Sequence, residues 1–344
     1  MTMTTPWPDG WIDRAAQWED VQQVAEMLNA RSRKLFGEDQ LTIDDIRAWW
    51  GGPRMNLASD LRFVVDDAGR IAGIASANDV GEPYAEISCS ATVHPLYEDR
   101  APLWDWLHSW ALRRVAAWVP RAAEGIRVAA VTQMSAADPA RRSSAERLGF
   151  RLVRVANRMR IDLSSPTPPP EWPAGVEVRT ADIDADLPDI VRMQSETWRD
   201  HWGFIERPFD EALREWREDL SRPGNSPDAS LWFLAVDGRE IVGISLCQDR
   251  VVDDKTRGYV DALGVRPAWR KRGIALALLR HTFAEFRRRE YATVELDMDS
   301  QNLTGALRVY ERAGMRAARQ AFSYEKILRP GIDLATRELR PSVG

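Results

Sequence analysis

Apolar and polar positions follow two distinct periods along the second half of the chain. The period of two that is typical of β-strands occurs in segments 176–181 and 293–299. Segments 231–236 and 240–249 are predicted as strands joined by the hairpin signal "DG", and segments 258–265 and 321–328 are predicted as two further strands. Apolar residues recur at helical spacing in segments 187–203, 209–220, 275–289 and 304–314. Strands and helices in this order predict the α/β class, with one central mixed sheet flanked by helices.

The first half of the chain repeats the same plan. "WPDG" at 7–10 returns as "WPAG" at 172–175, and "AERLGF" at 145–150 returns as "YERAGM" at 310–315. Both pairs are offset by 165 residues, since 175 − 10 and 314 − 149 both equal 165. Segment 164–173, "SSPTPPPEWP", is typical of a linker. We therefore predict tandem domains over 1–163 and 174–344, joined by 164–173.

Composition excludes several classes of protein. The length of 344 residues suits two domains, and the net charge of −5 argues against a nucleic-acid partner. Two cysteines, Cys89 and Cys247, fit neither a disulfide framework nor a zinc site. The opening segment has no apolar signal core, and no run of about 18 apolar residues follows it. We predict a cytoplasmic protein without a membrane or metal partner.

One segment of the second repeat, "VRPAWRKRGIALALLR" at 265–280, has an unusual charge pattern. Arg270, Lys271 and Arg272 precede Gly273 and an apolar helix, although cations are favoured at the end of a helix rather than at its start. The unpaired N–H groups of a helix start, a glycine and positive charge together suit an anion. The segment predicts a site for a phosphate-bearing ligand.

Two motifs resemble those of the GCN5-related N-acetyltransferases. Residues 270–275, "RKRGIA", resemble the R/Q-x-x-G-x-G/A signature of that family, with Ala275 for the commoner glycine. A second block resembles the family's N…A…Y…G-F/M helix, although its Asn lies eight residues before its Tyr rather than seven; its members are Asn302, Ala306, Tyr310, Gly314 and Met315. The resemblance covers both repeats and implies two tandem acyl-CoA N-acyltransferase domains.

The resemblance also implies roles for particular residues. In the family, this turn binds the pyrophosphate of acetyl-CoA and the preceding strand pairs with the pantetheine arm; the matching residues are Leu263, Gly264, Val265, Arg270, Lys271, Arg272, Gly273, Ile274 and Ala275, with Asn302 from the second block. The family's general acid matches Tyr310, and its carboxylate base lies near Asp261. Each has a structural alternative, a core tyrosine for the first and a solvent-facing or arginine-paired aspartate for the second.

The acceptor side of the site is less specific in the sequence. Members of the family build the acceptor pocket from the segment that matches 199–209, in which His201 and Trp202 either line the pocket or pack in its walls. Glu295, Asp297 and Asp299 share one face of a strand. Those three carboxylates either favour a cationic substrate or are solvated.

The first repeat lacks the residues that carry this chemistry. Glu98 and Asp99 stand where Arg270 and Lys271 stand in the second repeat, and Pro102 lacks an N–H donor. Ala145 occupies the place of Tyr310. Anions in this turn would repel a pyrophosphate. We expect the first domain to be non-catalytic, and acetyl-CoA to bind once per chain.

The resemblance therefore predicts an acetyl-CoA-dependent N-acetyltransferase that acts on a primary amine of a small molecule. A narrower alternative is an acetyltransferase of the mycothiol synthase type, a tandem member of the superfamily that acetylates a cysteinyl pseudo-disaccharide. An alternative from a different class is a non-catalytic acyl-CoA-binding module. We expect either a monomer, in which the two domains form an intrachain pseudo-dimer, or a homodimer.

Overall fold

A computed structural model describes residues 7–199, 201–221, 227–249, 256–300 and 305–337. Contacts between residues divide the chain into two compact units. The first unit comprises residues up to 155 together with 320–334, and the second comprises 156–319 with the residues from 335 onward. The two compact units therefore differ from the predicted domains, which are separated at segment 164–173 alone. Within the described residues, no helix is both long enough and apolar enough to span a bilayer.

The elements alternate as the sequence predicts. The strands are β1 (Ile12–Ala15), β2 (Leu61–Val65), β3 (Ile71–Asn78), β4 (Glu86–Val93), β5 (Val128–Ser135), β6 (Arg151–Asp162), β7 (Val176–Thr180), β8 (Trp232–Asp237), β9 (Glu240–Asp249), β10 (Arg257–Val265), β11 (Thr293–Asp299) and β12 (Arg316–Arg329). The α-helices are α1 (Val21–Phe36), α2 (Ile43–Trp50), α3 (Leu57–Asp60), α4 (Ala101–Ala116), α5 (Pro139–Arg147), α6 (Ile183–Trp198), α7 (Phe209–Leu220), α8 (Ile274–Arg288) and α9 (Ala306–Arg312). The predicted α/β class, with mixed sheets flanked by helices, is confirmed.

Each unit contains one mixed sheet with the same plan. The strand order is β1-β2-β3-β4-β5-β12 in the first unit and β7-β8-β9-β10-β11-β6 in the second. One parallel pair occurs in each described sheet, β4 with β5 and β10 with β11, and the other neighbours are antiparallel. The parallel pair lies at the same place in both sheets, as the internal repeat predicts.

The last strand of each repeat completes the sheet of the other unit. β6 ends the first repeat but pairs with β11, from Asp162 opposite Thr293 to Ala156 opposite Asp299. β12 closes the second repeat but pairs with β5 along 128–135. Tyr324 of β12 accordingly packs in the core of the first unit. The sequence predicts the strand at 321–328 but not this exchange, because a local pattern can indicate a strand without indicating its neighbour in the sheet.

Apolar side chains cover both faces of the second sheet. Phe233 and Ala235 of β8 pack with α8, whereas the intervening Leu234 packs with α6. Helix α6 begins four residues earlier than predicted, because the side chain of Asp182 accepts a hydrogen bond from the backbone N–H of Ala185 and caps the helix there. The two helix layers leave the end of β10 between α6 and α8, where the predicted site lies.

Candidate active site

The turn between β10 and α8 has backbone geometry suited to an anion. Gly273, which precedes α8, has a φ of 88°, and Lys271 has a φ of 63°, so both lie in the left-handed region. Turns of this kind can point successive N–H groups at one concave spot. No side chain of the described residues caps α8. A Cβ on Gly273 would meet no described atom within 4 Å, so glycine is required here by its φ and not by lack of space.

The three cations of this turn differ in their contacts. Arg270 Nε donates to the carbonyl of Val265 at 3.3 Å, and its Nη2 lies 3.5 Å from the carbonyl oxygen of Thr197. The guanidinium of Arg272 stacks over Trp269, 4.6 Å from the ring centroid. Lys271 is exposed. Arg270 therefore provides the positive charge that the sequence predicts and also links the turn to β10 and to the end of α6.

β10 and β11 separate next to the turn. They pair only over residues 257–259 and 293–295. A shift in register against β9 leaves Asp261 in a β-bulge. The last residues of β10, 263–265, remain paired with β9, and no described strand pairs with their other edge. Backbone groups on such an edge can bind an extended ligand in the manner of an added strand.

Gly264 allows β10 and α6 to approach each other closely. A Cβ at this position would lie 2.9 Å from Cζ3 of Trp198 and 3.0 Å from Oγ1 of Thr197. Real Cβ atoms rarely come that close to other atoms, so a side chain here would displace the end of α6. This packing constraint explains why residue 264 is a glycine, and the sequence motif does not indicate it.

A cavity of about 260 Å³ connects these features. Its walls include residues 263–265, 269–271 and 273–276, together with Thr197, Trp198, His201, Ala306 and Tyr310. Most of the predicted ligand-binding residues therefore meet at one cavity, with Arg272 beside it. Burial raises the pKa of the Tyr310 phenol to about 12. The hydroxyl consequently stays protonated near neutral pH, as a proton donor must.

The other predicted residues fall in different places. Asp261 is exposed and accepts a hydrogen bond from Nε2 of Gln248 at 2.9 Å. His201 lines the cavity and packs against Trp198 with 5.3 Å between the ring centroids. Trp202 lies instead under the guanidinium of Arg337, 4.4 Å from its ring centroid. Asn302 lies outside the described residues.

Carboxylates of β11 are engaged by arginines of the exchanged strand β6. Glu295 is buried and forms ion pairs with Arg158, at 3.1 Å, and with Arg160. Asp297 accepts hydrogen bonds from Arg158 Nη2 at 2.7 Å and from the hydroxyl of Tyr259 at 2.9 Å. These ion pairs compensate much of the negative charge of Glu295 and Asp297. They therefore argue against the alternative in which these carboxylates favour a cationic substrate. Because the sequence did not indicate the exchange of β6, it could not indicate these arginines.

The first unit has the same separation of strands, but side chains fill its gap. β4 and β5 pair only over residues 86–88 and 129–131. Just beyond, Nη2 of Arg141 donates to Oγ of Ser90 at 2.9 Å and lies 3.5 Å from Oγ1 of Thr132. By the offset of 165 residues, Arg141 corresponds to Ala306, which lines the cavity of the second unit. A guanidinium therefore occupies the space that Ala306 leaves open.

The counterpart of the phosphate turn is also occupied. Arg31 is only 5% exposed and forms ion pairs with Asp138 and with Glu98, the latter at 2.9 Å. Its guanidinium lies 5.2 Å from the ring centroid of Trp104, whose Nε1 donates to the carbonyl of Glu98 at 2.9 Å. Glu98 is additionally paired with Lys34. Glu98, one of the two carboxylates predicted to repel a pyrophosphate, is thus largely neutralised, and side chains pack around it.

Comparisons with known proteins agree with this geometry. The family model "Acetyltransferase (GNAT) family" matches residues 187–315, a range that contains the turn and Tyr310. The solved structure of a GCN5-related N-acetyltransferase from Sphaerobacter thermophilus is 30% identical, with a TM-score of 0.80, over 95% of this chain and 98% of that chain. This similarity extends across both units.

Two further proteins are similar over most of their length. Mycothiol acetyltransferase from Thermobispora bispora is 29% identical over 272 residues, which cover 77% of this chain and 82% of the relative. A tandem GNAT protein from the clavulanic acid biosynthesis pathway shares the fold at 13% identity and a TM-score of 0.66, over 94% of this chain and 100% of that chain. The chain belongs to the GCN5-related N-acetyltransferase (GNAT) family, whose members take acyl groups from acyl-CoA donors.

Proposed function

We propose that the second unit transfers the acetyl group of acetyl-CoA to a primary amine of a small molecule. The observation that carries this proposal is the cavity at which the left-handed turn, the unpaired edge of β10 and Tyr310 converge. The turn provides N–H groups and cations for the pyrophosphate. The edge at 263–265 provides backbone groups for the pantetheine amides.

Tyr310 acts as the general acid of this reaction. The neutral amine attacks the carbonyl carbon of the thioester, a C–N bond forms, and the C–S bond breaks. The phenol of Tyr310 gives its proton to the sulfur that leaves. Burial raises the pKa of this phenol to about 12 and would also raise that of a thiolate formed in the same cavity, which reduces the difference between their proton affinities. The phenolate regains a proton once the product thiol has left.

Asp261 is the proposed base that receives the proton lost by the amine, directly or through water. Its exposed carboxylate sits in the β-bulge of β10, two residues before the segment 263–265 whose edge opposite β9 pairs with no described strand. The hydrogen bond from Gln248 limits its side-chain rotation. The bulge supports the assignment because β-bulges commonly re-aim side chains next to active sites.

We further propose that acetyl-CoA binds once per chain, in the second unit. The reasons inferred from sequence were repulsion by Glu98 and Asp99 and the missing N–H donor of Pro102, but the Glu98 carboxylate is paired with two cations. Steric exclusion gives the better argument. When Gly37 of the first repeat is aligned with Gly203 of the second, Arg31 corresponds to Thr197, because each lies six residues before its glycine (37 − 31 and 203 − 197). Thr197 lines the cavity of the second unit, so in the first unit a buried arginine replaces a small residue of the cavity wall.

A mycothiol synthase-type acceptor is the second candidate, supported by the similarity to the Thermobispora bispora mycothiol acetyltransferase across both units. A panel of primary amines that includes the cysteinyl pseudo-disaccharide tests both candidates. Release of free thiol from acetyl-CoA is followed, and products are identified by mass spectrometry. Conversion of one amine supports an N-acetyltransferase and names its substrate. Tight binding of acetyl-CoA without turnover of any amine would instead favour the non-catalytic module.

A further inference from the structure

The loop between α6 and α7, which carries His201 to the cavity wall, is bonded to backbone from the other end of the second unit. The N–H of Gly203 donates to the carbonyl of Thr336 at 2.8 Å. The N–H of Thr336 donates in return to the carbonyl of Phe204 at 2.9 Å. These reciprocal bonds join residues that are 133 positions apart in the chain (336 − 203).

Side chains reinforce this contact on both sides of Thr336. Ala335 is buried at 8% exposure, and the guanidinium of Arg337 stacks over Trp202 at 4.4 Å from the ring centroid. The preceding segment 320–334 belongs to the first unit, whereas the chain from 335 onward belongs to the second. Residues 335–337 are therefore attached to the second unit by their own contacts.

The same loop is fixed to α6 at its start. The N–H of His201 donates to the carbonyl of Trp198 at 2.7 Å, and the N–H of Phe204 donates to the carbonyl of His201 at 3.2 Å. Gly203 completes the turn with a φ of 81° in the left-handed region. His201 thus sits on a turn that is held at one side by α6 and at the other by Thr336.

We propose that residues 335–337 form a strap that positions the turn 201–204 against the acyl-CoA cavity. Thr336 acts through its main chain, with an additional hydrogen bond from its hydroxyl to the carbonyl of Arg199 at 3.4 Å. Arg337 acts through Trp202, so both are positioning residues. Without the strap, Gly203 and Phe204 lose their partners and His201 is no longer held at the wall. The inference rests on the proposed function, because the cavity that His201 lines is the proposed site of acetyl-CoA.

Thr336→Pro tests the strap, with Thr336→Ala as the matched control. Both variants lack the side-chain hydroxyl, but only proline lacks the N–H that donates to Phe204. In the full-length chain, hydrogen exchange at the Gly203 amide should accelerate about tenfold in Thr336→Pro, because loss of the bond from residue 336 to Phe204 loosens the segment whose carbonyl accepts from Gly203. The Kd for acetyl-CoA should rise roughly threefold to tenfold, the scale of one lost hydrogen bond. Thr336→Ala keeps both main-chain bonds and loses only the long, exposed hydrogen bond to Arg199 at 3.4 Å, so it should stay within about twofold of wild type in both measurements.

The outcomes separate the strap from the proposed function. Equal exchange at Gly203 in wild type, in Thr336→Pro and in a chain that ends at residue 334, and so lacks the Thr336 carbonyl, would overturn the strap. Faster exchange with an unchanged Kd would show that the segment orders the loop without positioning it for the ligand. If wild type fails to bind acetyl-CoA, the proposed function falls, and the exchange comparison still decides whether the strap exists. A chain ending at residue 334 provides a second variant, which should reproduce the effects of Thr336→Pro.

Discussion

Replacing Tyr310 by Phe removes one hydroxyl from the cavity wall and leaves the ring in place. If the phenol protonates the leaving thiolate, turnover should fall by about 10²–10⁴-fold, the usual contribution of one general acid. That range corresponds to about 3–5 kcal/mol of barrier at 1.36 kcal/mol per tenfold. Acetyl-CoA affinity should change little, because the ring keeps its packing against the apolar core of the second unit.

The raised pKa of Tyr310 also predicts the pH dependence. A phenol with a pKa of about 12 is fully protonated between pH 6 and pH 10. The value of kcat/KM should therefore rise with pH as the acceptor amine loses its proton. It should show no decline from Tyr310 until the pH approaches 12, whereas an ordinary phenol would cause one near pH 10.

The assay is single-turnover release of thiol at saturating acetyl-CoA and amine, with calorimetry for affinity. Tyr291→Phe is the matched control, since Tyr291 is 8% exposed and packs against Phe286 at 4.9 Å between centroids. This variant should retain wild-type turnover. Unchanged single-turnover rates in Tyr310→Phe would refute the reasoning and assign the tyrosine to packing.

Three further predictions follow from the two units. Gly273→Asp should weaken acetyl-CoA binding by at least about thirtyfold, because it adds both an anion and a side chain at a φ of 88°; superimposable titrations with wild type would place the ligand elsewhere. Calorimetry should give a stoichiometry near one acetyl-CoA per chain, and a second site of similar affinity that survives Gly273→Asp would contradict the filled cleft of the first unit. Arg31→Ala should lower the free energy of unfolding of the first unit by about 3–5 kcal/mol, because it leaves the buried carboxylate of Asp138 without its main partner. The control Arg33→Ala breaks an exposed pair and should cost at most about 1 kcal/mol, so equal denaturation midpoints for the two variants would reject the argument.

The candidate site divides into a part that the sequence indicates and a part that it does not. The motif at 270–275 and the tyrosine four residues before Gly314 identify the two sides of the cavity. The sequence gives no sign that Thr197 and Trp198 form its third side. Their place depends on Gly264, which lets α6 approach β10, and contacts of this kind join segments far apart in the chain.

The sequence by itself determined those features that depend only on neighbouring residues, namely the type of each element and the position of the turn before α8. Side-chain period decides between strand and helix because each element places its own residues on fixed faces. Segments 209–220 and 293–299 begin and end where the period predicts. A glycine before an apolar run likewise specifies a permissive turn. These properties depend on neighbours within a few residues.

Tertiary structure alone decided which edges and side chains meet. Backbone hydrogen bonds do not depend on side-chain identity, so the strand predicted at 321–328 could pair in either sheet. Only the assembled fold pairs β12 with β5. The direction of a long side chain depends equally on distant partners. Arg31 therefore fills a cleft because Asp138 and Glu98 converge on it from separate parts of the first unit, and Thr336 holds Gly203 because the chain returns to the second unit after residue 334.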